Sequence, residues 1–407
     1  MLDSMRCPGM RDWLPVEMAR FRRIEQAFRD VCLAWGYEEV RTPTIEHLHL
    51  FTSTGTLSPQ MLGRVYSFLD WDGWTGERVV LRPDSTIPVA RLYAEHVEAG
   101  VIKKLFYVQN VIRFAQGDES REDWQCGIEL VGDTQPMGDI ELVLVASDVL
   151  QRLGLEIEIK LSDPGILRAI LSRAGYTAPE QLALYDRVLD GELSVLDEVA
   201  ERIPGAGAPV RSLLSMEGEG IAYLENLRSA LGGAVPEIAQ SISELQAVSE
   251  ILSDVGRKHA IAPLLVRDFE YYTGPVFHFY ANGVKMGGGG RYDGLVGLVG
   301  GTDVPASGLA LEMDVIAPLL GAEVQPQDSV VIRPRVRERG AMAATFSLAS
   351  ELRSSGRVFR IASVGETVGG CEVVASEDGY TLRLNGNEPK QLARTGDVLS
   401  ALAEAGL

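Results

Sequence analysis

The chain has little of what marks a secreted, membrane or metal-binding protein. Four cysteines occur in 407 residues, with no CxxC spacing that would hold a metal ion: Cys7, Cys32, Cys126 and Cys371. No apolar run approaches the roughly 20 residues that a membrane helix needs, and the first residues lack the apolar stretch of a secretory signal. We therefore expect a protein of the reducing cytoplasm, with no membrane contact, metal or cofactor.

Positive charge is also scarce. Lysine and arginine number 38 against 57 acidic residues, which gives a formal net charge of −19. Proteins that grip a nucleic-acid backbone usually carry a basic patch, because phosphate contacts dominate their affinity. The composition therefore argues against nucleic-acid binding. The apolar fraction of 46% is ordinary for a globular protein, and the length allows one large and one small domain.

What the chain does have is a distinctive stretch from Leu264 to Leu295. Its β-branched and aromatic residues at 276–280 predict a strand, and Asn282-Gly283 predicts a hairpin turn. Four glycines at 287–290 either let a ligand or another backbone approach closely or form a flexible loop. Arg267 and the tyrosines at 271 and 272 favour the first interpretation, since a fixed cation and ring hydroxyls suit a small zwitterionic ligand.

The sequence LVRDFEYYTGPVFHFY followed by GGGGRYDGLV resembles the histidine-recognition segment and glycine-rich strand of histidyl-tRNA synthetases. The same pattern occurs in their non-catalytic relatives, the regulatory subunits of ATP phosphoribosyltransferase. The resemblance covers roughly residues 5–320. It implies an α+β fold like that of class II aminoacyl-tRNA synthetases, an antiparallel sheet flanked by helices. The amphipathic helix from Met18 to Trp35 and the extended segment Tyr37 to Pro43 resemble motif 1, which implies a dimer.

Positions on the amino-acid side of the synthetase site are present. In the family, the segment matching Leu81 to Thr86 offers a carboxylate and a hydroxyl to the substrate amino group, and Asp84 and Thr86 hold those positions. A capped helix that starts at Ile87 would also explain them. Both interpretations can be true at once.

Two further segments, 106–113 and 124–132, resemble the antiparallel strands of motif 2. The family arginine that holds the α-phosphate and carboxylate corresponds to Arg113. Gln125, Gly127 and Glu129 alternate, so they share one face of a strand. Buried Gln and Glu side chains need partners, which a bound imidazole or ammonium group would supply.

Positions on the nucleotide side depart from the family pattern. The motif 2 loop, 114–123, is short and carries four acids that would repel ATP and tRNA: Asp118, Glu119, Glu122 and Asp123. In the motif 3 segment, 308–316, Glu312 stands where the family has a small glycine. Val315 replaces the arginine that stacks on adenine and neutralises phosphate.

The remaining chain predicts its domain organisation. A helix is expected within 133–153 and a strand at 155–161, followed by a helical insertion at about 166–260. We expect one synthetase-like domain at 1–322 and a small α/β domain at 326–407. The arginines at 333, 335, 337 and 339 are interpreted as an exposed strand end and turn.

Together these features favour the non-catalytic relative, which the resemblance implies is a regulatory subunit that binds L-histidine and partners a short-form catalytic subunit of ATP phosphoribosyltransferase. No catalytic residue is expected. The resemblance implies a histidine site made of nine residues: Asp84, Thr86, Arg113, Gln125, Glu129, Arg267, Tyr271, Tyr272 and Tyr292. The alternatives are a true histidyl-tRNA synthetase and an AMP-forming amino-acid ligase on the same fold, and both are disfavoured by Glu312 and Val315.

Overall fold

The computed structural model describes most of the chain: residues 5–53, 63–71, 76–98, 100–115, 119–133, 136–189, 192, 194–204, 207–214, 217–265, 272–321, 330–357, 359–366, 370–384 and 388–406. Two compact units are present, Met1–Gly321 and Ala322–Leu407. Within the described ranges, no helix is both long and apolar enough to cross a membrane. No group of three potential metal ligands occurs there either.

A nine-stranded sheet organises the first unit, in the order β1-β5-β6-β12-β11-β10-β7-β9-β8. Its strands are β1 (Glu38–Glu39), β5 (Lys103–Ile112), β6 (Glu122–Val131), β7 (Glu158–Ser162), β8 (Gly218–Glu219), β9 (His259–Ile261), β10 (Val276–Ala281), β11 (Val284–Arg291) and β12 (Ala306–Glu312). Neighbours pair antiparallel except β1 with β5 and β7 with β9. The predicted antiparallel sheet is confirmed, with these two parallel pairs towards its ends. A separate small sheet contains β2 (Ile45–His47), β4 (Gly76–Leu81) and β3 (Ser67–Trp71).

The hairpin of β10 and β11 lies at the centre of the large sheet. Asn282 and Gly283 both have positive φ, 51° and 76°, which matches the twist of a two-residue hairpin turn. The four glycines belong to β11, so the loop alternative is wrong. Two of them, Gly287 and Gly289, press against β12, because a Cβ atom at either would collide with its backbone. The glycines thus serve close approach of a neighbouring strand.

The helices described in the first unit outside the insertion are α1 (Pro15–Ala34), α2 (Leu48–Ser53), α3 (Thr86–His96), α4 (Met137–Arg152), α11 (Leu295–Leu298) and α12 (Met313–Leu319). Helix α1 buries one face, including Phe21, Ile24 and Phe28, as its periodicity predicts. Gly36 follows with φ 81°, the left-handed conformation that ends many helices.

The expected insertion contains α5 (Pro164–Arg173), α6 (Ala178–Leu189), α7 (Val195–Arg202), α8 (Gly207–Leu214), α9 (Gly220–Leu231), a 3-10 turn (Pro236–Ile238) and α10 (Ala239–Asp254). Its buried residues, such as Leu196 and Leu224, join the same core as Ile128 and Phe277 of the sheet. Strands β8 and β9, which the sequence did not predict, extend that sheet. Strands of two or three residues carry too little periodicity to be recognised.

The second unit has a five-stranded sheet in the order β14-β13-β15-β16-β17. Its elements are β13 (Val330–Pro334), α13 (Arg339–Ser354), β14 (Phe359–Ile361), β15 (Glu372–Ser376), β16 (Gly379–Arg383), β17 (Lys390–Leu392) and α14 (Thr395–Glu404). Apolar residues of both helices join one core with alternate residues of the central strands, for example Leu348, Val398 and Ile332. Arg333 departs from the expected exposed cluster, because it is partly buried and pairs with Glu372.

Candidate functional site

One face of the large sheet carries two rows of residues that the strand register aligns. The first row runs Tyr107, Gly127, Ala310, Gly288 and His278, each paired with the next. Cross-strand partners point to the same side of a sheet. A Cβ atom on Gly127 would collide with the ring of Tyr107, and one on Gly288 would collide with the ring of His278. The glycines therefore let both rings lie close to the sheet.

The second row runs Glu129, Gly308, Gly290 and Val276. Gly308 makes room for the carboxylate of Glu129, and Gly290 makes room for the ring of Tyr272. These two rows form what we call the floor. Its glycines bring polar side chains from different strands against one surface.

A buried polar network occupies one end of the floor. Glu129 is only 1% exposed. Its carboxylate accepts hydrogen bonds from the hydroxyl groups of Tyr107, at 3.1 Å, and Tyr292, and the hydroxyl of Thr86 is a third partner. Burial raises the pKa of Glu129 to about 8, against the opposing effect of these donors. Three predicted site residues, Thr86, Glu129 and Tyr292, therefore lie together.

Tyr107 and His278 are site residues that the sequence analysis missed. Tyr107 could have been found, because it lies six residues before the predicted site residue Arg113 on the same predicted strand, and residues an even number apart in a strand share a face. His278 is buried, and its Nε2 atom lies 3.2 Å from Nζ of Lys285. Burial, and then the charge of Lys285, lowers the pKa of His278 to about 3. It stays neutral at physiological pH.

Asp84 has one of its two predicted roles in the structure, that of a helix cap, and its role as a ligand contact stays a prediction. Its carboxylate accepts a hydrogen bond of 2.8 Å from the backbone N–H of Ile87, which caps α3. Its charge also raises the pKa values of Glu129 and Tyr107, although burial is the larger cause in both. Asp84 is thus a helix cap that lies close to the network.

The other predicted site residues border the floor or lie outside the description. Arg113 follows β5 and its Nε atom donates to the carbonyl of Pro83 at 2.7 Å. Gln125 is half-buried and is flanked in register by Gln109 and Glu312. Arg267 and Tyr271 lie outside the described residues.

A carboxylate occupies the nucleotide side of the floor. Glu312 is paired with Gln125, so both face the same side. Burial raises the pKa of Glu312, and the charges of Lys285 and Arg113 act against this rise. Lys285 and Arg113 therefore have an acidic neighbour built into the sheet.

Residues next to Glu312 make contacts within the chain. Asp314 accepts a hydrogen bond from the backbone N–H of Trp124 and pairs with Arg11.

The motif 2 loop, of which residues 116–118 lie outside the description, is bonded to other segments through Arg121. The backbone N–H of Arg121 donates to the carbonyl of Gly9 at 2.9 Å, and its side chain donates to the hydroxyl of Tyr66 at 3.1 Å. The one arginine of this loop thus holds the N-terminal segment in place.

The ionisation of Glu129 leads to a prediction about stability. Its pKa is higher in the folded chain than the ordinary value near 4.5, so it contributes stability that is fully present below pH 4.5 and is lost as pH rises through about 8. We expect Glu129→Gln to remove this loss, so that its melting temperature relative to wild type rises between pH 6 and pH 9. Thermal unfolding across that range measures it. Parallel curves for the two proteins would contradict the assignment.

Comparison with known proteins finds similarity to histidyl-tRNA synthetases and to regulatory subunits of ATP phosphoribosyltransferase. A family model described as histidyl-tRNA synthetase matches residues 9–316. An ATP phosphoribosyltransferase regulatory subunit of Dehalococcoides mccartyi strain BAV1 is 42% identical over 354 residues, 86% of each chain. One from strain CBDB1 is 44% identical over 320 residues, 78% of each. The histidine–tRNA ligase of Methanosarcina acetivorans is 32% identical, covering 85% of this chain and 82% of its own length.

Solved structures agree on the fold. A crystal structure from Bacillus halodurans, described as an ATP phosphoribosyltransferase regulatory subunit/histidyl-tRNA synthetase, has a TM-score of 0.77 at 26% identity. It covers 91% of this chain and 95% of its own. The histidyl-tRNA synthetase of Nostoc has a TM-score of 0.74 at 17% identity over the full length of both chains, which bears on the fold alone.

Proposed function

Since this chain belongs to the histidyl-tRNA synthetase family, we propose that it is a regulatory subunit of ATP phosphoribosyltransferase and supports the first step of histidine biosynthesis. The observation that carries the proposal is the divided floor. Its amino-acid side keeps a closed polar network around Glu129, while its nucleotide side presents the carboxylate of Glu312. Identity of 42% and 44% to regulatory subunits, against 32% to a synthetase, supports the same choice.

The chain itself has no synthetase activity in this proposal. A class II synthetase needs cations around its triphosphate, and here Glu312 faces that side while Val315 supplies no charge. We expect no histidine-dependent exchange between ATP and pyrophosphate above background, with an authentic histidyl-tRNA synthetase as positive control. Exchange well above background would instead support the synthetase or the AMP-forming ligase alternative.

The proposed partner is the short-form catalytic subunit, bound in a cytoplasmic hetero-oligomer. None of the four cysteines forms a disulfide, which suits a reducing compartment. Regulation would be allosteric, a coupling between a histidine site in this chain and an active site in the partner. No nucleic acid takes part in this scheme.

The proposed ligand is L-histidine, bound on the floor. Glu129 has hydroxyl donors already in place, so we propose that the imidazole or ammonium group of the ligand displaces one of them and meets the carboxylate. Gln125, Arg113 and Tyr272 would border the bound molecule. Arg267 and Tyr271 remain predicted partners, with Arg267 holding the ligand carboxylate.

We also propose that two copies associate through the segment from Tyr37 to Pro43. Strand β1 lies at the edge of the large sheet, where its unpaired backbone groups can meet another chain. Tyr37 itself is buried and its hydroxyl donates to Glu141 at 2.8 Å, so it supports the segment from within. Leu33 and Ile102 are exposed large apolar residues, at 61% and 51%.

Light scattering at micromolar concentration tests this association. We expect the mass of a dimer for the wild-type chain and a shift towards monomer for Leu33→Glu with Ile102→Glu. The control is Val255→Glu, at an exposed apolar residue that follows α10, which should leave the dimer intact. A monomeric wild-type chain would contradict the proposal.

A further inference from the structure

A second cavity lies between helices of the first unit, apart from the floor. Its volume is about 560 Å³, within the range of small-molecule sites. Helix α5 with its N-cap residue supplies one wall. The 3-10 turn and α10 supply the other, and Thr273 contributes from the segment that leads into β10.

The two walls carry opposite charges. Arg168 and Arg173 come from α5, whereas Glu237 and Glu244 come from the facing wall. Arg173 and Glu237 are exposed, and in the described part of the chain neither forms an ion pair. Arg173 and Glu237 therefore line one cavity as opposite charges that do not pair with each other, which leaves room for a dipolar molecule between them.

A buried carboxylate lies at the N-terminal end of α5. Asp163 lines the cavity and is 2% exposed. It accepts a hydrogen bond of 2.7 Å from the backbone N–H of Gly165 and another from Ser241. Burial raises the pKa of Asp163 to about 6. A ligand cation beside the carboxylate would favour its ionised form. A Cβ atom on Gly165 would collide with Ser241, so the glycine lets the two walls lie close together beside Asp163.

We propose that this cavity binds a small zwitterion of the free amino-acid class, with the ammonium group towards Asp163 and Glu244 and the carboxylate towards Arg168 and Arg173. An anion such as phosphate would face three carboxylates, which disfavours it. The proposal rests on the proposed function only in taking L-histidine as the first amino acid to test.

The cavity is connected to the floor through hydrogen bonds. Arg168 donates to the backbone carbonyl of Tyr272 at 3.3 Å, and the ring of Tyr272 lies over Gly290 on the floor. The backbone N–H of Thr273 donates to the carbonyl of Arg291 at 2.8 Å, while the Arg291 side chain pairs with Glu244 of the cavity wall. A molecule held here would therefore restrain the segment that carries Tyr272.

Calorimetric titration of the wild-type chain with L-histidine, alone and with its catalytic partner, tests the proposal. We expect two histidines per chain. Asp163→Asn, and separately the exposed pair Arg173→Ala with Glu237→Ala, should each weaken one of the two by at least tenfold. Glu129→Ala should weaken only the other. Histidine binding that both cavity variants leave unchanged, or no histidine bound to the Glu129→Ala variant, would overturn the proposal.

Two analogues test the zwitterion directly. Histamine lacks the carboxylate and imidazolepropionate lacks the amine, so neither should compete for the cavity site in Glu129→Ala, where the floor site is weakened. Competition by either one would contradict a zwitterion site. The proposed regulatory function is tested separately: it would be contradicted if this chain did not bind the catalytic subunit.

Discussion

Replacing Glu129 with alanine is expected to weaken the binding of L-histidine to the floor at least tenfold. Removing one partner of a buried charged hydrogen bond costs on the order of 2–5 kcal/mol, and Glu129 is the buried acceptor of the network. Calorimetric titration measures the change. Arg267→Ala, at the predicted carboxylate partner, should cause a loss of similar size.

The competing explanation is that Glu129 persists as a satisfied polar group of an inherited core. In that case Glu129→Ala would lower stability, and histidine would not raise the melting temperature of the wild-type chain. Tyr292→Phe is a useful control, because it removes one hydroxyl donor to Glu129 and keeps the carboxylate. Each variant must first be shown to fold. Absence of histidine binding to wild type, with and without the catalytic partner, would leave only a scaffold role.

The contact between bound histidine and the carboxylate of Glu129 should release a proton. The pKa of Glu129 is about 8, so it is mostly neutral at pH 7, and a ligand cation beside it favours the ionised form. Affinity for histidine is therefore expected to rise as pH increases towards 8. This dependence should be absent from the Glu129→Gln variant.

Asp139→Ala is expected to destabilise the first unit by about 3 kcal/mol, because it removes the fully buried partner of the Arg291 guanidinium and leaves only the pair with Glu244, whose side chain is 25% exposed. The Asp139 and Arg291 side chains are 0% and 2% exposed, and Asp139 also accepts a hydrogen bond of 2.6 Å from Ser307. Urea unfolding followed by tryptophan fluorescence measures the loss.

The matched control is Asp148→Ala. Asp148 pairs with Arg257 where both side chains are partly exposed, 34% and 23%, so we expect a cost of about 1 kcal/mol or less. Equal losses for the two variants would show that the buried pair between α4 and β11 is not a special source of stability.

The sequence predicts the strands and turns that carry the site residues better than it predicts the contacts between those residues. Alternation placed Gln125, Gly127 and Glu129 on one face, and the register of β5, β6 and β12 agrees. The hairpin at Asn282-Gly283 follows from local turn chemistry. These features depend on residues close in the chain.

Contacts between distant segments could not be predicted in the same way. Glu129 meets Tyr107, Thr86 and Tyr292, which come from three separate elements, and nothing in their spacing states that they converge. The glycine run gave a similar ambiguity, since close approach to a ligand and to a neighbouring strand require the same residue. Gly287 and Gly289 belong to β11, and their close approach is to the backbone of the neighbouring strand β12.

The most direct test of the regulatory role is the rate of ATP phosphoribosylation by the short-form catalytic subunit of the same organism. It would be measured with and without this chain, over a range of L-histidine concentrations. We expect the chain to change the rate and to confer a response to histidine that the catalytic subunit alone lacks, and Glu129→Ala to blunt that response. A catalytic subunit whose rate and histidine response are the same with and without this chain would contradict the proposed function.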